Sequence, residues 1–78
     1  MFWSAEMTRK MSMEVIYKDN KDIIDTIGKK IKEAVKNRKT GIFILKEEVN
    51  LDVISYLKIW GYEVCIMDDG VTYNISWL

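Results

Sequence analysis

Apolar and polar residues alternate most regularly near the end of the sequence, after a turn signal at Asp68-Asp69-Gly70. The alternating apolar set is Val71, Tyr73, Ile75 and Trp77, and the polar set between them is Thr72, Asn74 and Ser76. A period of two places the two sets on opposite sides of a strand, and Asp-Gly is typical of the turn in a β-hairpin. The segment 61–78 therefore predicts two short strands with one face on a core and the other in or near water.

Between residues 20 and 38 the apolar positions recur at the spacing of a helix. They are Ile23, Ile24, Ile27, Ile31, Ala34 and Val35. This spacing predicts a helix that begins near Asp19 or Asn20, and the lysines of its second half suit the negative end of the helix dipole. Residues 13–17 fit either a strand or the first turns of a long helix that continues to Arg38. Gly28 indicates either a close approach to another element or a tolerated glycine.

Two further segments precede and follow this helix. Residues 2–12 predict a short helix with Ser4 as its N-cap, and with Phe2 or Trp3 as an apolar anchor that packs on the rest of the chain. Residues 41–45 are wholly apolar and predict a strand. Because this strand lacks alternation, we expect burial on both faces, or one face covered by another chain.

Asn50 predicts the N-cap of another helix, which ends before Gly61 because glycine readily adopts the left-handed conformation of a helix end. The expected inner side of this helix is Leu51, Val53, Ile54, Leu57 and Trp60. The order of elements is typical of an α+β fold in a single domain over residues 1–78. We predict a three-stranded sheet with helices packed on one face, the first and second strands running parallel. The third strand can lie between them or outside, and we favour the order 1-3-2.

The composition narrows the classes of function. The chain has 78 residues, no histidine, and Cys65 as its one cysteine. Histidine is the commonest metal ligand and general base, and no catalytic, metal or nucleotide motif stands out in the sequence. We therefore expect no catalytic activity, no metal site and no cofactor. No apolar run approaches the ~20 residues that span a bilayer, and we expect no membrane contact. A core this small makes a second copy or a partner important for stability.

Charge is uneven along the chain. Residues 1–39 carry ten Lys/Arg and six Asp/Glu, a net of +4, and residues 40–78 carry two and six, a net of −4. The basic cluster consists of Lys29, Lys30, Lys32, Lys36, Arg38 and Lys39. This cluster is a candidate site for the phosphates of a nucleic acid or nucleotide. A solvated helix end is the simpler explanation, because base reading relies on arginine and lysine predominates here.

Aromatic residues suggest an interaction surface. Three tryptophans and four tyrosines are many for one small core, and aromatic side chains are enriched in interfaces. The candidate interface residues are Phe2, Trp3, Phe43, Thr72, Asn74 and Ser76. We expect a protein partner there, or a second copy of the chain in a homo-oligomer.

Three segments of the chain carry short motifs: residues 4–9 (SAEMTR), 54–64 (ISYLKIWGYEV) and 69–77 (DGVTYNISW). They resemble, in that order, the opening T-A-x-E-A-R, the L-x-x-x-GY-x-V junction and the closing DG…Y-x-ISW of a group of small uncharacterised proteins encoded by tailed bacteriophages. The opening departs from that pattern at Met7 and Thr8. The resemblance implies a phage protein located in the host cytoplasm or the virion, and it implies no activity. Our expectation is a minor virion component or an accessory factor that binds a host protein, with nucleic-acid or nucleotide binding as the alternative.

Overall fold

The computed structural model describes residues 2–78, which form three α-helices and one three-stranded antiparallel sheet. The elements are α1 (Ala5–Asp19), α2 (Lys21–Lys36), β1 (Gly41–Leu45), α3 (Leu51–Ile59), β2 (Glu63–Ile66) and β3 (Thr72–Ser76). A 3-10 turn at Lys46–Glu48 joins β1 to α3. The predicted α+β class is confirmed.

The sheet has the order β1-β3-β2, as predicted. β3 runs antiparallel to both neighbours, so β1 and β2 run parallel to each other. The hairpin between β2 and β3 is closed by the N–H of Met67, which donates to the carbonyl of Thr72 at 2.7 Å. Within its turn, the N–H of Gly70 donates to the carbonyl of Met67 at 2.9 Å.

One hydrophobic core joins two helices to one face of the sheet. Its buried members are Ile27 and Ala34 of α2, Val53 and Leu57 of α3, and Ile42, Ile44 and Ile75 of the sheet. Burying one such aliphatic side chain contributes about 1.5–3 kcal/mol. The stripe predicted on α2 is thus confirmed, except that Val35 is exposed. α1 contributes no buried residue and packs on α3 and α2.

Residues 13–17 are helical and not a strand, but they do not begin the long helix to Arg38 that the sequence allowed as the alternative. They belong to α1, which ends before Asn20 instead of continuing into α2. The backbone of Asn20 is not helical (φ −128°, ψ 27°), and its side-chain amide donates to the carbonyl of Ile16 at 2.9 Å. Asn20 Oδ1 also accepts a bond of 2.8 Å from Asn50 Nδ2. The joint between the two helices is therefore linked to the start of α3.

The predicted N-caps form as expected. Ser4 accepts a hydrogen bond from the N–H of Met7 at 3.2 Å, and Asn50 accepts one from the N–H of Val53 at 3.0 Å. Each bond satisfies one of the amide groups that a helix start leaves unpaired, which typically contributes about 1 kcal/mol.

Two helices end in the same way with different residues. Gly61 ends α3 in the left-handed region (φ 98°), as predicted, and the N–H of Tyr62 then donates to the carbonyl of Leu57 at 3.1 Å. Arg38 takes the same role after α2 (φ 58°). Both ends are Schellman motifs, in which a left-handed residue satisfies the last carbonyls.

Several predicted burials are wrong. Leu51 is 77% exposed and Trp60 is also exposed, because the inner side of the short α3 is completed by Val53, Ile54 and Leu57. Phe2 is fully exposed and Trp3 is 59% exposed. Neither therefore anchors the start of α1 on the core.

The structure also bears on two open questions about the middle of the chain. β1 is not buried on both faces, since its burial alternates along the strand and the second face is left uncovered within residues 2–78. Gly28 is exposed, and a methyl group added there would meet no atom within 4 Å. Gly28 is thus tolerated and does not indicate a close approach.

Candidate interaction surfaces

The face of the sheet opposite the helices, which we call the open face, carries side chains from all three strands. Register places Phe43 of β1, Asn74 of β3 and Cys65 of β2 in one row. Leu45 and Thr72 form the row beside it. Phe43 is 62% exposed and Leu45 is 43% exposed. A sheet face in water normally carries polar side chains, and these two are the exception.

The structure brings together four of the six predicted interface residues. Phe43, Thr72, Asn74 and Ser76 all lie on the open face, by the alternation of their strands. Phe2 and Trp3 precede α1, which packs on the helical side of the molecule, so they do not belong to this surface. Whether any of the six contacts another protein stays a prediction.

A second apolar surface, which the sequence did not single out, lies between α1 and α3. Tyr17, Tyr56 and Trp60 form a chain of aromatic rings with centroids 6.3 and 6.4 Å apart. Lys10 and Lys18 line the same groove, whose volume is about 620 Å³. The aromatic residues come from helices far apart in the sequence, and only their packing reveals that they form one surface.

The six predicted anion-binding residues do not converge on one point. Lys29, Lys32 and Lys36 share one side of α2, since they are three and four positions apart. This side lies opposite Ile27 and Ala34, which face the core. The three lysines are exposed, as expected for a solvated helix face.

The other basic residues lie near the end of α2. Lys30 and Lys39 line a cleft of about 340 Å³ between α2 and β1, together with Glu33, Asn37 and Phe43. Arg38 is exposed at the helix end. This cleft places two lysines beside an exposed aromatic ring. Among the described clefts, no other brings lysines of the basic cluster next to such a ring.

Two titratable groups have shifted pKa values, and both shifts have local causes. Asp69 accepts hydrogen bonds from the N–H of Val71 at 3.0 Å, and from the hydroxyl and the N–H of Thr72 at 2.8 and 3.0 Å. These bonds lower the pKa of the Asp69 carboxyl. The hydroxyl of Tyr17 donates to Asp25 at 2.8 Å, which raises the pKa of the phenol. Asp69 thus holds the hairpin turn, and Tyr17 links α1 to α2 through Asp25.

Ligand-type residues are scattered over the described part of the chain. Within residues 2–78 no three Asp, Glu, Cys or His side chains come close enough to hold a metal ion together. Cys65 is exposed with a free thiol. None of the helices in this range combines the length and the apolar character needed to cross a membrane.

The chain matches no protein-family model, no curated protein and no solved structure. The similarity of three segments to phage proteins therefore stays a resemblance.

Proposed function

We propose that this chain is a small protein-binding module of a tailed bacteriophage, either a minor virion component or an accessory factor that acts on a host protein. It works by binding, without catalysis. The observation that supports the binding is the open face, where Phe43 and Leu45 are exposed on a sheet that is covered on one side only. The phage origin is inferred from the resemblance of residues 54–64 and 69–77.

The physical argument concerns the cost of leaving this surface in water. Each Å² of apolar surface removed from water contributes about 25 cal/mol, so covering a phenylalanine and a leucine is favourable. Aromatic residues are also the side chains that most often dominate the energy of an interface. Thr72, Asn74 and Ser76 lie beside Phe43 and Leu45 and supply hydroxyl and amide groups for hydrogen bonds. A patch with apolar and polar groups side by side is typical of a non-obligate interface.

The test is affinity purification of the tagged chain from infected cells, with mass spectrometry of the co-purified proteins and of purified particles. The open-face variant is Phe43→Ser combined with Leu45→Ser. The matched control is Leu51→Ser, which removes an exposed leucine from α3.

We expect the captured protein, and its binding in a reconstituted assay with purified components, to be lost in the open-face variant and kept in the control. Capture that is equal in both variants would contradict the role of the open face. Absence of a specific partner, together with absence of the chain from particles, would contradict the function as a whole.

One observation favours a second function, the binding of a nucleic acid or an anionic nucleotide. Lys30 and Lys39 share a cleft with Phe43, and a cation beside an aromatic ring suits a phosphate beside a base. Fluorescence anisotropy with a labelled single-stranded oligonucleotide tests this. Phosphate contacts predict a fall in log K of about 0.7 per contact for each tenfold increase in salt. Binding that is lost in Lys30→Gln with Lys39→Gln, and kept in Lys10→Gln, would favour this alternative over the first.

A further inference from the structure

β1 forms one edge of the sheet, and its unpaired backbone groups can be identified. The N–H of Trp77 donates to the carbonyl of Thr40 at 3.2 Å, and the N–H of Lys46 donates to the carbonyl of Val71 at 2.8 Å. Bonded and non-bonded residues alternate along an antiparallel strand. The even-numbered residues of β1 therefore bond to β3, and Gly41, Phe43 and Leu45 direct their N–H and C=O groups away from the sheet.

This edge lacks three of the features that prevent two strand edges from pairing, namely a charged side chain, a proline and a bulge. Natural edge strands are blocked by charged side chains, proline or bulges. β1 has the sequence GIFIL, with no charge and no proline. Its register with β3 advances one residue at a time from Gly41 to Leu45, so it contains no bulge. The other edge strand, β2, is shorter and begins with the charged Glu63.

We propose that two copies of this chain pair through the outer edge of β1, antiparallel and related by a twofold axis at Phe43. Phe43 then lies opposite the partner's Phe43, and Gly41 lies opposite the partner's Leu45. Every outward N–H and C=O group of the three residues finds a partner. The two sheets become one continuous sheet, and the two open faces become one surface with the phenylalanine side chains at its centre.

The surroundings of the edge fit a second copy. The cleft that runs along β1 is lined by α2 with residues of both signs, Lys30 and Lys39 as well as Glu33. In a dimer with twofold symmetry, this rim of mixed charge meets the same rim of the second copy. Repulsion between like charges therefore does not oppose pairing. An uncharged strand that pairs with itself also meets no like charge at the axis.

The size of the contact predicts a weak dimer. A five-residue edge and the rim of one helix bury less than the roughly 800 Å² per partner of a standard interface. We therefore expect the mass measured by light scattering to rise from 9.2 kDa toward twice that value as concentration increases. The useful range is about 5 μM to about 1 mM, since small interfaces of this kind are weak.

The first test removes one backbone N–H group that points away from the sheet. Because the N–H of Phe43 points away from β3, Phe43→Pro removes a donor that the chain itself does not use. We expect it to weaken dimerisation at least about tenfold, since proline on an edge prevents pairing. Phe43→Thr keeps the amide and removes the ring, so it separates backbone pairing from stacking of the rings. Circular dichroism checks that both variants fold.

The second test measures the register in which the two copies of β1 pair. It decides whether the proposed dimer forms if Phe43→Pro does not fold. In a Cys65→Ser background, Phe43→Cys places two thiols on the twofold axis, with Cα atoms about 5.5 Å apart, within disulfide range. Leu45→Cys is the matched control, since its Cα lies about 15 Å from its copy, four residues along the strand and one strand apart. We expect rapid oxidative cross-linking of the first and little of the second.

Three results would overturn the proposal. They are a mass of 9.2 kDa at every concentration, dimerisation of Phe43→Pro equal to that of the unaltered chain, and equal cross-linking of the two cysteine variants. All of these measurements use the purified chain alone. A failed dimer therefore leaves the binding of another protein to be judged separately, by the capture experiment.

Discussion

Arg38 ends α2 in a backbone conformation that favours glycine. Its φ is 58°, and it is the single non-glycine residue between 2 and 78 with a positive φ. The conformation allows the N–H of Lys39 to donate to the carbonyl of Ala34 at 2.8 Å. Gly61 makes the equivalent end of α3 with a φ of 98°. The chain thus contains the same helix end twice, once strained and once not, and Arg38→Gly converts the first into the second.

The expected effect follows from two opposing terms. The left-handed conformation costs a residue with a Cβ about 1–2 kcal/mol. Glycine at the same position loses more conformational entropy on folding, which reduces the gain in stability by about 0.4–1 kcal/mol. The Arg38 side chain is exposed, so little packing is lost with it. We expect Arg38→Gly to raise the free energy of unfolding by about 0.5–1 kcal/mol.

Urea denaturation and thermal melting measure this change. One kcal/mol shifts the Tm of a domain of this size by about 4–8 °C, so the variant should melt about 2–8 °C higher. The matched control is Lys39→Gly, which also replaces a basic residue by glycine, next to Arg38 and without a positive φ to relieve. We expect this control to lower the stability. An Arg38→Gly protein no more stable than the unaltered chain would refute the reasoning.

Three further changes test individual parts of the fold. Gly28→Ala should raise the free energy of unfolding by about 0.5–1 kcal/mol, since the added methyl group meets no atom within 4 Å; a loss of stability in urea denaturation would contradict this. Asn50→Asp keeps the acceptor that caps α3 but removes the donor to Asn20, so it should cost about 0.5–1.5 kcal/mol, and less than Asn50→Ala, which loses the cap as well; an Asn50→Asp protein as stable as the unaltered chain in urea denaturation would mean that the link to Asn20 contributes nothing. The pKa of Asp69 is lowered in the folded chain, so its carboxylate stabilises the fold above its unfolded pKa of about 4, and this contribution is lost as the pH falls through the lower, folded value. Asp69→Asn should therefore reduce the loss of stability between about pH 6 and about pH 2, and an unaltered pH dependence in urea denaturation would contradict this.

Local signals determined much of the secondary structure. Ser4, Asn50 and Gly61 act at helix ends through bonds to residues three to five positions away, so the sequence alone was enough to predict them. The hairpin was equally predictable, because a period of two and an Asp-Gly turn are both local properties. The crossover between the first two strands left the third strand free to lie between them or outside, and the structure has the predicted order β1-β3-β2, with the third strand between them.

The open face was only partly predictable. Alternation put Thr72, Asn74 and Ser76 on one side of a strand, and this was enough to predict their shared surface. The sequence did not show on which side Phe43 would lie, because the neighbours of Phe43 in β1 are as apolar as Phe43 itself. The register with β3 decides it, by pairing Phe43 with Asn74 and Ile44 with Tyr73.

The sequence predicted a helix start near Asp19 or Asn20 but also allowed one long helix that continues to Arg38. The structure has the break, and Asn20 is there bonded to Asn50, thirty positions away. Tertiary structure alone decided which apolar residues remain in water. Leu51 and Trp60 are as apolar as Val53 and Leu57, yet they are exposed, because one sheet face offers room for a limited number of side chains. Sequence periodicity determines which residues can share a face, and the available area of the opposing surface determines which of them are buried.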